Sequence, residues 1–176
     1  MGLYKYSFET KGLGTAQIHD VDCSYKDLSQ VLRAIKRKNI IEAKKVLNDA
    51  IQMKKPIRFT KFNTGMGHRS ELGGKKGKYP KKECKYAMQL LNNAIANSIK
   101  KGMDETKLVV KHASANKQNV LRRYRHQFVG SATLGYGKHA MWSNYVTAKA
   151  EIGLGEEEPR TQKKKRVKNV HSKKSN

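Results

Sequence analysis

The segment from Pro80 to Gly102, PKKECKYAMQLLNNAIANSIKKG, carries the clearest structural pattern in the chain. Its apolar residues recur at intervals of three and four, at Ala87, Leu90, Leu91, Ala94, Ile95 and Ile99. This spacing places them on one face of an α-helix. Pro80 suits the first turn of a helix, and two lysines followed by Gly102 are typical of a helix end. The segment therefore predicts an amphipathic helix that packs on a core.

Two shorter helices are predicted before this one. Asp27 is a candidate N-cap for the first, whose apolar residues are Leu28, Val31, Leu32 and Ile35. A basic break at 36–39 leads to the second, whose apolar stripe comprises Ile40, Ala43, Val46, Leu47, Ala50 and Ile51. Because Pro56 cannot continue a helix, we expect the second helix to end near Lys54 or Lys55.

After the third helix the apolar period changes to that of a strand. Leu108, Val109 and Val110 are typical of a strand, and alternation resumes at Val146, Ala148, Ala150 and Ile152. No helical pattern lies between, so we expect a two-stranded ribbon over about 108–152 with its turn between Gly130 and Gly137. One arm of about twenty residues would reach roughly 60 Å, so most of the ribbon must project from the core.

The remaining segments lack clear periodicity. Residues 1–26 are mixed and contain glycine, which predicts an irregular N-terminal arm before a globular domain at 27–155. Residues 56–79 combine glycines with many lysines and predict a long basic loop, which is usually functional or ordered by a partner. Residues 156–176 form a lysine-rich tail expected to be disordered or ordered by a partner.

The charge of the chain points to a polyanionic partner. Lysine and arginine total 38 against 14 acidic residues, which gives a formal net charge of +24. Such an excess repels itself, and nucleic acid is the obvious polyanion to compensate it. A membrane surface is the rival, but no apolar run is long enough to span a bilayer and the N-terminus lacks a signal-peptide core. Cys23 and Cys84 are expected to be reduced thiols.

The predicted ribbon has the composition of an RNA-buried element. No Asp or Glu occurs from Thr106 through Ala150, while cations, aromatic residues and histidines are interspersed. Cations bind phosphates, and aromatic and guanidinium planes stack on unpaired bases. The alternative is a solvated, mobile basic hairpin. The ribbon residues expected to bind RNA are Lys111, Asn116, Lys117, Arg122, Arg123, Tyr124, Arg125, His126, Lys138, His139 and Trp142.

A second basic zone precedes the third helix, with Glu71 as its one acid between Lys54 and Lys82. Its glycines let backbone amides approach phosphates closely. The alternative is a flexible surface loop. The residues expected to bind RNA here are Lys54, Lys55, Arg58, Lys61, Arg69, Lys75, Lys76, Lys78, Lys81 and Lys82.

Signatures of enzymes are lacking. The segment Gly65-Met-Gly67 does not complete a dinucleotide fingerprint, and the glycines at 73–78 lack the spacing and hydroxyl of a Walker loop. Cysteines and histidines show no zinc spacing, and His19 with Asp20 and Asp22 is more typical of a surface turn than of a metal site. We therefore predict no catalytic residue, no metal and no cofactor.

A series of motifs, in order and spacing, resembles the family of universal large-subunit ribosomal protein twenty-two, called protein seventeen in eukaryotes. The resemblance covers roughly Asp27 to Glu158, and the loop before the third helix is similar to the eukaryotic and archaeal branch. The motifs are Ala34-Ile-Lys36, Ala43-Lys-Lys-Val-Leu-Asn-Asp49, Pro56-Ile-Arg-Phe-Thr-Lys-Phe-Asn63, Gly65-Met-Gly67, Tyr79-Pro-Lys-Lys82, Leu91-Asn-Asn-Ala94 with Asn97, Lys101-Gly-Met-Asp104, Leu108-Val-Val-Lys-His112, Asn116-Lys117 and Arg122-Arg-Tyr-Arg125.

The resemblance implies an α+β fold, with three helices on a small antiparallel sheet, a long projecting β-hairpin and basic N- and C-terminal extensions. It implies a structural constituent of the large ribosomal subunit whose hairpin passes through ribosomal RNA to line the peptide exit tunnel. The implied tunnel-facing tip comprises Val129, Gly130, Ser131, Ala132, Thr133, Leu134 and Gly135.

The partners expected from this resemblance are large-subunit ribosomal RNA, neighbouring large-subunit ribosomal proteins and the nascent polypeptide, with no membrane and no small-molecule substrate. The expected location is the cytoplasmic ribosome, with nucleolar assembly if the source is eukaryotic. The alternative function is a free RNA chaperone or ribosome-assembly factor, and a nucleic-acid enzyme is a distant third.

Overall fold

The structure, a computed structural model, describes the backbone of residues 5–131 and 135–156 and the side chains of residues 5–122 and 144–156. In chain order the elements are β1 (Gly14–Val21), α1 (Tyr25–Ile35), α2 (Ile40–Ile51), β2 (Ile57–Arg58), β3 (His68–Arg69), β4 (Lys75–Lys78), α3 (Lys81–Lys100), β5 (Leu108–Ser131) and β6 (Gly135–Glu156). Two short 3-10 helices lie at Ser70–Leu72 and Glu105–Lys107.

The described strands form two antiparallel sheets of three strands each, in the orders β1-β6-β5 and β2-β4-β3. Helices α1 and α3 pack against the larger sheet, and α2 packs on α3. The predicted α+β class, with three helices on an antiparallel sheet, is confirmed. The expected basic tail lies outside the described residues from 157 onward.

The core lies between the helices and one face of the larger sheet. Ala148, Ala150, Ile152 and Leu154 alternate along β6 and are fully buried there. The helices contribute residues with no exposed surface, namely Leu28, Val31, Leu32, Ile35, Ala43, Leu47, Ala87, Leu90, Leu91 and Ala94. The apolar periodicity of all three helices therefore predicted the buried faces correctly, apart from the position of Ile99 in α3.

The ends of α1 and α2 differ from the sequence expectation. The N-cap of α1 is Ser24, not Asp27, because the Ser24 side chain accepts a hydrogen bond from the Asp27 amide (3.4 Å). Helix α2 ends at Ile51, not near Lys54 or Lys55. Met53 adopts a left-handed conformation there (φ 59°), and the Lys54 amide donates to the Asp49 carbonyl (2.8 Å). Such a bond satisfies a terminal carbonyl and stops the helix before Pro56.

Helix α3 has the predicted bounds, but in its last turn Ser98, and not Ile99, faces the sheet. Ile99 is 51% exposed, whereas Ser98 is fully buried and donates a hydrogen bond to the Ala94 carbonyl (2.8 Å). Ser98 lies against Gly14 of β1, where a Cβ atom would fall within 1.7 Å of the Ser98 Oγ atom. A small residue on each side is needed because helix and strand approach closely at this point.

The N-terminal segment is not an irregular arm throughout. Gly14–Val21 forms β1, which pairs with β6 from Gly14↔Leu154 to Val21↔Ala148. Residues before it cover the second face of the sheet: the Phe8 ring stacks on His112 (4.1 Å), and a Cβ atom at Gly153 would meet Phe8 at 2.7 Å. The expectation was wrong here because the apolar alternation in β1 is short, and the glycines of β6 gave no sign of what covers them.

Glu151 is the polar centre of this second face. Its side chain is almost fully buried, accepts hydrogen bonds from the Ser7 amide (2.8 Å) and hydroxyl (3.1 Å), and pairs with Lys149 (3.1 Å). Burial opposes ionisation, but the Ser7 and Lys149 contacts outweigh it, so the pKa of Glu151 lies below its ordinary value of 4.5. A buried carboxylate is stable only with such partners.

Residues 56–79 are not a structureless loop. Strand β4 pairs with β2 (Ile57↔Lys78) and with β3 (Arg69↔Lys75), so the segment folds back on itself twice. Gly77 makes this possible, since a Cβ atom there would lie 2.6 Å from the Ile57 carbonyl oxygen. The strands are only two to four residues long. Strands this short carry too little alternation to be recognised in a sequence.

Strands β5 and β6 pair from Leu108↔Glu156 to Ser131↔Gly135. The turn was predicted between Gly130 and Gly137. Gly130, Ser131 and residues 135–137 are paired in the strands, and residues 132–134 lie outside the described part. Strand β1 accompanies β6 only between Ala148 and Leu154, and beyond this base the described pairing of β5 and β6 is with each other alone. That the strand pair projects as a hairpin stays a prediction.

Two bulges flank strand β6 where β1 ends. Gln118 and Asn119 of β5 lie opposite the single residue Thr147 of β6, and the register of β1 shifts between Ile18 and Val21. Thr147 is 6% exposed, accepts a hydrogen bond from the Asn119 amide (3.1 Å) and donates one to the Asp20 carboxylate (3.1 Å). The three strands are therefore joined by side-chain hydrogen bonds at the point where the three-stranded sheet becomes two-stranded.

Replacing Glu151 with Gln tests the buried carboxylate. We expect E151Q to lower the free energy of unfolding by about 1–3 kcal/mol near pH 7, because Lys149 loses its buried partner. Since the folded pKa is depressed, the carboxylate stabilises the fold above its ordinary pKa of 4.5, and this contribution disappears as pH falls below that value. Urea unfolding of both proteins at several pH values measures the difference. The matched control E42Q removes an exposed pair with Lys38 and should change stability by less than about 1 kcal/mol. An equal effect of both substitutions would contradict the argument.

Candidate nucleic-acid interface

A groove of about 360 Å³ lies between α1, strand β5 and the loop that follows β2. Each element contributes groups that suit a polyanion: Arg33 comes from α1, Lys61 from the loop, and Lys117 from β5. No carboxylate occurs among the described residues that line it. The full lining is Tyr25, Ser29, Gln30, Arg33, Lys61, Phe62, Ala113, Ser114, Ala115, Asn116 and Lys117.

Gln30 fixes the loop side of this groove. Its side chain is 3% exposed, and its Oε1 atom accepts hydrogen bonds from the Thr60 amide (3.1 Å), the Thr60 hydroxyl (3.2 Å) and the Lys61 amide (3.2 Å). The loop backbone at Thr60 and Lys61 lacks strand pairing, and the Gln30 side chain of α1 accepts its hydrogen bonds instead. Because these donors share one buried acceptor, the loop is held at a defined distance from α1.

An aromatic pair closes one end of the groove. The Phe62 ring is 47% exposed and meets the Tyr25 ring edge-on, with centroids 6.3 Å apart. The Lys26 ammonium lies 5.7 Å from the centre of the Phe62 ring. Phe62 has a φ of 54°, a left-handed conformation that non-glycine residues seldom adopt.

A second basic hollow of about 420 Å³ adjoins the edge of β5 and is lined by Arg33, Lys36, Arg37 and Ala113. Arg37 is also left-handed (φ 66°), and its amide donates to the Val110 carbonyl (2.8 Å). Burial lowers the pKa of the nearby His112, and the positive charge of Lys36 lowers it further. This histidine is therefore neutral at physiological pH, and the arginines and lysines supply the charge.

The basic zone before α3 contains cations of two kinds. Lys78 pairs with Asp27 (2.6 Å), Lys82 pairs with Asp22 (3.0 Å), and Arg69 donates to the Gly77 carbonyl (3.2 Å). Arg69 therefore joins β3 to β4 and Lys78 joins the small sheet to α1, whereas Lys82 links α3 to the segment before α1. The side chains of Lys54, Lys55, Arg58, Lys61, Lys75 and Lys81 are exposed, and Lys76 is half-buried. Their proposed role toward RNA stays a prediction.

On the strand pair, Lys111, Asn116, Lys117 and Arg122 are exposed. The side chains of the other ribbon residues predicted to bind RNA, Arg123, Tyr124, Arg125, His126, Lys138, His139 and Trp142, lie outside the described part, as do those of the predicted tip. The backbone of Val129, Gly130, Ser131 and Gly135 belongs to β5 and β6, whereas Ala132, Thr133 and Leu134 are not described.

The described residues include acidic side chains and thiols whose contacts serve the fold. Among them, no group of His, Cys, Asp and Glu is arranged to hold a metal ion. Asp22 pairs with Lys82, and Asp20 bonds to Thr147 at the bulge, so these residues serve the fold. Burial raises the pKa of both cysteine thiols, Cys23 and Cys84, to about 12, so neither is a reactive thiolate. None of the described helices is long and apolar enough to cross a membrane.

Residues 16–138 match the family described as ribosomal protein L22p/L17e. The chain belongs to this family. It is also similar to proteins named large ribosomal subunit protein uL22. That of Sulfolobus acidocaldarius is 38% identical over 70% of this chain and 82% of its own, and that of Archaeoglobus fulgidus 38% identical over 74% and 84%. That of Sulfurisphaera tokodaii is 33% identical over 86% of this chain and 95% of its own.

Membership in the L22p/L17e family makes the chain a structural ribosomal protein of the cytoplasm and not an enzyme, as predicted. The sequence did not indicate Tyr25, Arg33 and Phe62 of the groove. It also did not indicate Lys26 beside the Phe62 ring or Lys36 and Arg37 of the second hollow. The basic break at 36–39 was an available signal for two of them. The others are scattered along α1 and its neighbouring loop, and only the fold brings them together.

Replacing Gln30 with Leu tests the anchor of the loop. We expect Q30L to lower the free energy of unfolding by about 1–3 kcal/mol, because the Thr60 and Lys61 amides lose their buried acceptor. Amide exchange at these two positions should accelerate more than at Leu90 and Leu91 in α3. Q89L, on the exposed face of α3, is the matched control and should leave exchange at Thr60 and Lys61 unchanged. Unchanged protection of the loop in Q30L would show that other contacts hold it.

Proposed function

We propose that this chain is a structural constituent of the large ribosomal subunit that binds ribosomal RNA and lines the peptide exit tunnel with strands β5 and β6. The observation that carries the RNA-binding part is the groove between α1, β5 and the loop after β2. Three cations from three separate elements meet there beside two aromatic rings, with no carboxylate among the described lining residues. The names of the uL22 relatives support the large subunit as the place of assembly.

The physical role of RNA in this proposal is to offset the charge of the protein. The formal net charge is +24, while the internal ion pairs of the described part occupy only a few lysines. A chain this basic gains most by binding many phosphates at once, because each neutralised phosphate releases condensed counterions. The groove and the exposed lysines of the small sheet form one route for the RNA backbone, and β5 and β6 form another.

The length of the strand pair supports the tunnel part of the proposal. Strand β5 has 24 residues, and at about 3.3 Å each a strand of this length spans about 80 Å. The globular part then sits near the subunit surface, and the strand pair carries the tip inward. Arg122, Arg123 and Arg125 anchor it to phosphates, and residues 129–135 face the nascent chain.

The first test is the salt dependence of binding to a transcript of large-subunit ribosomal RNA. We expect log affinity to fall against log salt with a slope steeper than about −3, because many phosphates are contacted. K61Q and K117Q should each weaken binding and reduce the slope by about one. K85Q, an exposed lysine on α3, is the control. A shallow slope for the unmodified chain would contradict the proposal.

The second test separates a structural constituent from a free RNA chaperone or assembly factor. Large subunits are sedimented through sucrose in high salt and probed for the chain. We expect the protein to stay with the subunit, because a constituent folded into the RNA leaves only when the RNA unfolds. A transient factor is released into the upper fractions, and that result would favour the alternative function.

The third test separates the anchors from the tip. Replacing Arg122, Arg123 and Arg125 with Ala removes charge-assisted contacts, each worth about 1.5–3 kcal/mol, and should reduce the occupancy of the protein in the large subunit. Deleting residues 130–137 should leave occupancy intact but remove crosslinks between this protein and a stalled nascent peptide. If the tip of the unmodified protein crosslinks only to RNA or to proteins on the solvent side, the tunnel role is wrong for this chain.

A further inference from the structure

The position of the Phe62 ring does not favour folding, because much of this apolar ring is exposed to water. It is 47% exposed on a strongly basic surface, and its backbone is held in the left-handed region. The loop is anchored by the Gln30 hydrogen bonds to Thr60 and Lys61, so it does not depend on burial of the ring. A strained backbone that presents a large apolar side chain to solvent is a feature found at binding sites.

The surroundings of the ring are those of a stacking site. The Tyr25 ring meets Phe62 edge-on at 6.3 Å and fixes its orientation, while the Lys26 ammonium lies 5.7 Å from the ring centre. On the groove side lie Arg33 and Lys61, and the groove continues to Asn116 and Lys117 on β5. An aromatic face beside cations is the arrangement by which proteins bind a base together with its phosphates.

We propose that the Phe62 ring, with Tyr25 packed edge-on against it, is a stacking platform for one unpaired base of the bound RNA, with the adjoining phosphates on Arg33, Lys61 and Lys117. This inference rests on the proposed RNA-binding function and specifies what the groove recognises. The groove volume of about 360 Å³ is at the small end of ligand clefts and suits a single nucleotide. Bases within an RNA helix are stacked on each other, so only a base that has left the helix reaches the ring.

Asn116 gives the site a means of reading the base edge. It is exposed on β5 at the groove, and its amide group offers both a donor and an acceptor. Stacking itself tolerates any base, because every base has a π face. The platform therefore selects for an unpaired nucleotide at this position, and Asn116 contributes to the choice among bases.

The experiment compares ring variants of the full-length chain for affinity to the transcript of large-subunit ribosomal RNA. F62L keeps apolar bulk and removes the ring, and we expect a fall in affinity of about five- to one-hundred-fold with an unchanged salt slope, since stacking releases no counterions. F62W retains a ring and should bind like the unmodified chain. I41A, which truncates the 79% exposed Ile41 on α2, is the control and should bind normally.

A direct readout accompanies the affinities. Ultraviolet irradiation of the complex, followed by mass spectrometry, should find a nucleotide attached to Tyr25 or Phe62, because a stacked base lies in contact with the ring. Amide exchange at Thr60 and Lys61 in F62L should match the unmodified chain, which excludes loss of the loop structure as the cause.

The outcomes distinguish failure of the proposed RNA-binding function from failure of the stacking platform. If the unmodified chain fails to bind the transcript, the proposed function falls and the platform with it. If the unmodified chain binds and F62L binds equally well, the platform alone is overturned. A reduced salt slope in F62L would also overturn it, since the ring would then act only by positioning Lys61.

Discussion

Burial of strand β6 on both faces is the constraint on which the described structure depends. Helices cover one face at Ala148, Ala150, Ile152 and Leu154, and residues 7–13 cover the other at Glu151 and the glycines beside it. With β1 on one edge and β5 on the other, this strand has no freedom of register. A one-residue slip would bring Glu151 into the apolar core, so the pairing of β5 is fixed from the base outward.

The sequence predicted the helices well because their apolar periods are long and regular. The stripe from Ala87 to Ile95 is sufficient to place α3, and its terminal glycine marks the end. The strands of the basic zone were missed, since pairs such as Ile57–Arg58 are too short to show a period. Glu151 alternates with the apolar residues of β6, and nothing local indicates that Ser7, far away in sequence, covers it.

The sequence predicted that the chain binds a polyanion, but it did not predict where the groove lies. Runs of lysine and the acid-free stretch indicated a polyanion, yet the groove also depends on Arg33, in a helix predicted only from its apolar face, and on Phe62, an uncharged residue of the basic zone. Lys78 and Lys82, whose predicted RNA contacts stay a prediction, also pair with Asp27 and Asp22. A count of charges does not reveal which cations the fold itself uses, because that depends on carboxylates more than fifty residues away in the chain.

The bulge at Gln118 and Asn119 determines more than a local bend. Two residues of β5 face one residue of β6 there, so the bulge sets which side of the strand pair receives Val120, Leu121 and Arg122. A regular ladder that kept every residue of β5 would place these three side chains on the opposite faces, because side chains alternate along a strand. The hydrogen bonds of Thr147 to Asn119 and Asp20 hold the bulge in place, and they thereby fix the faces on which these three side chains of β5 lie.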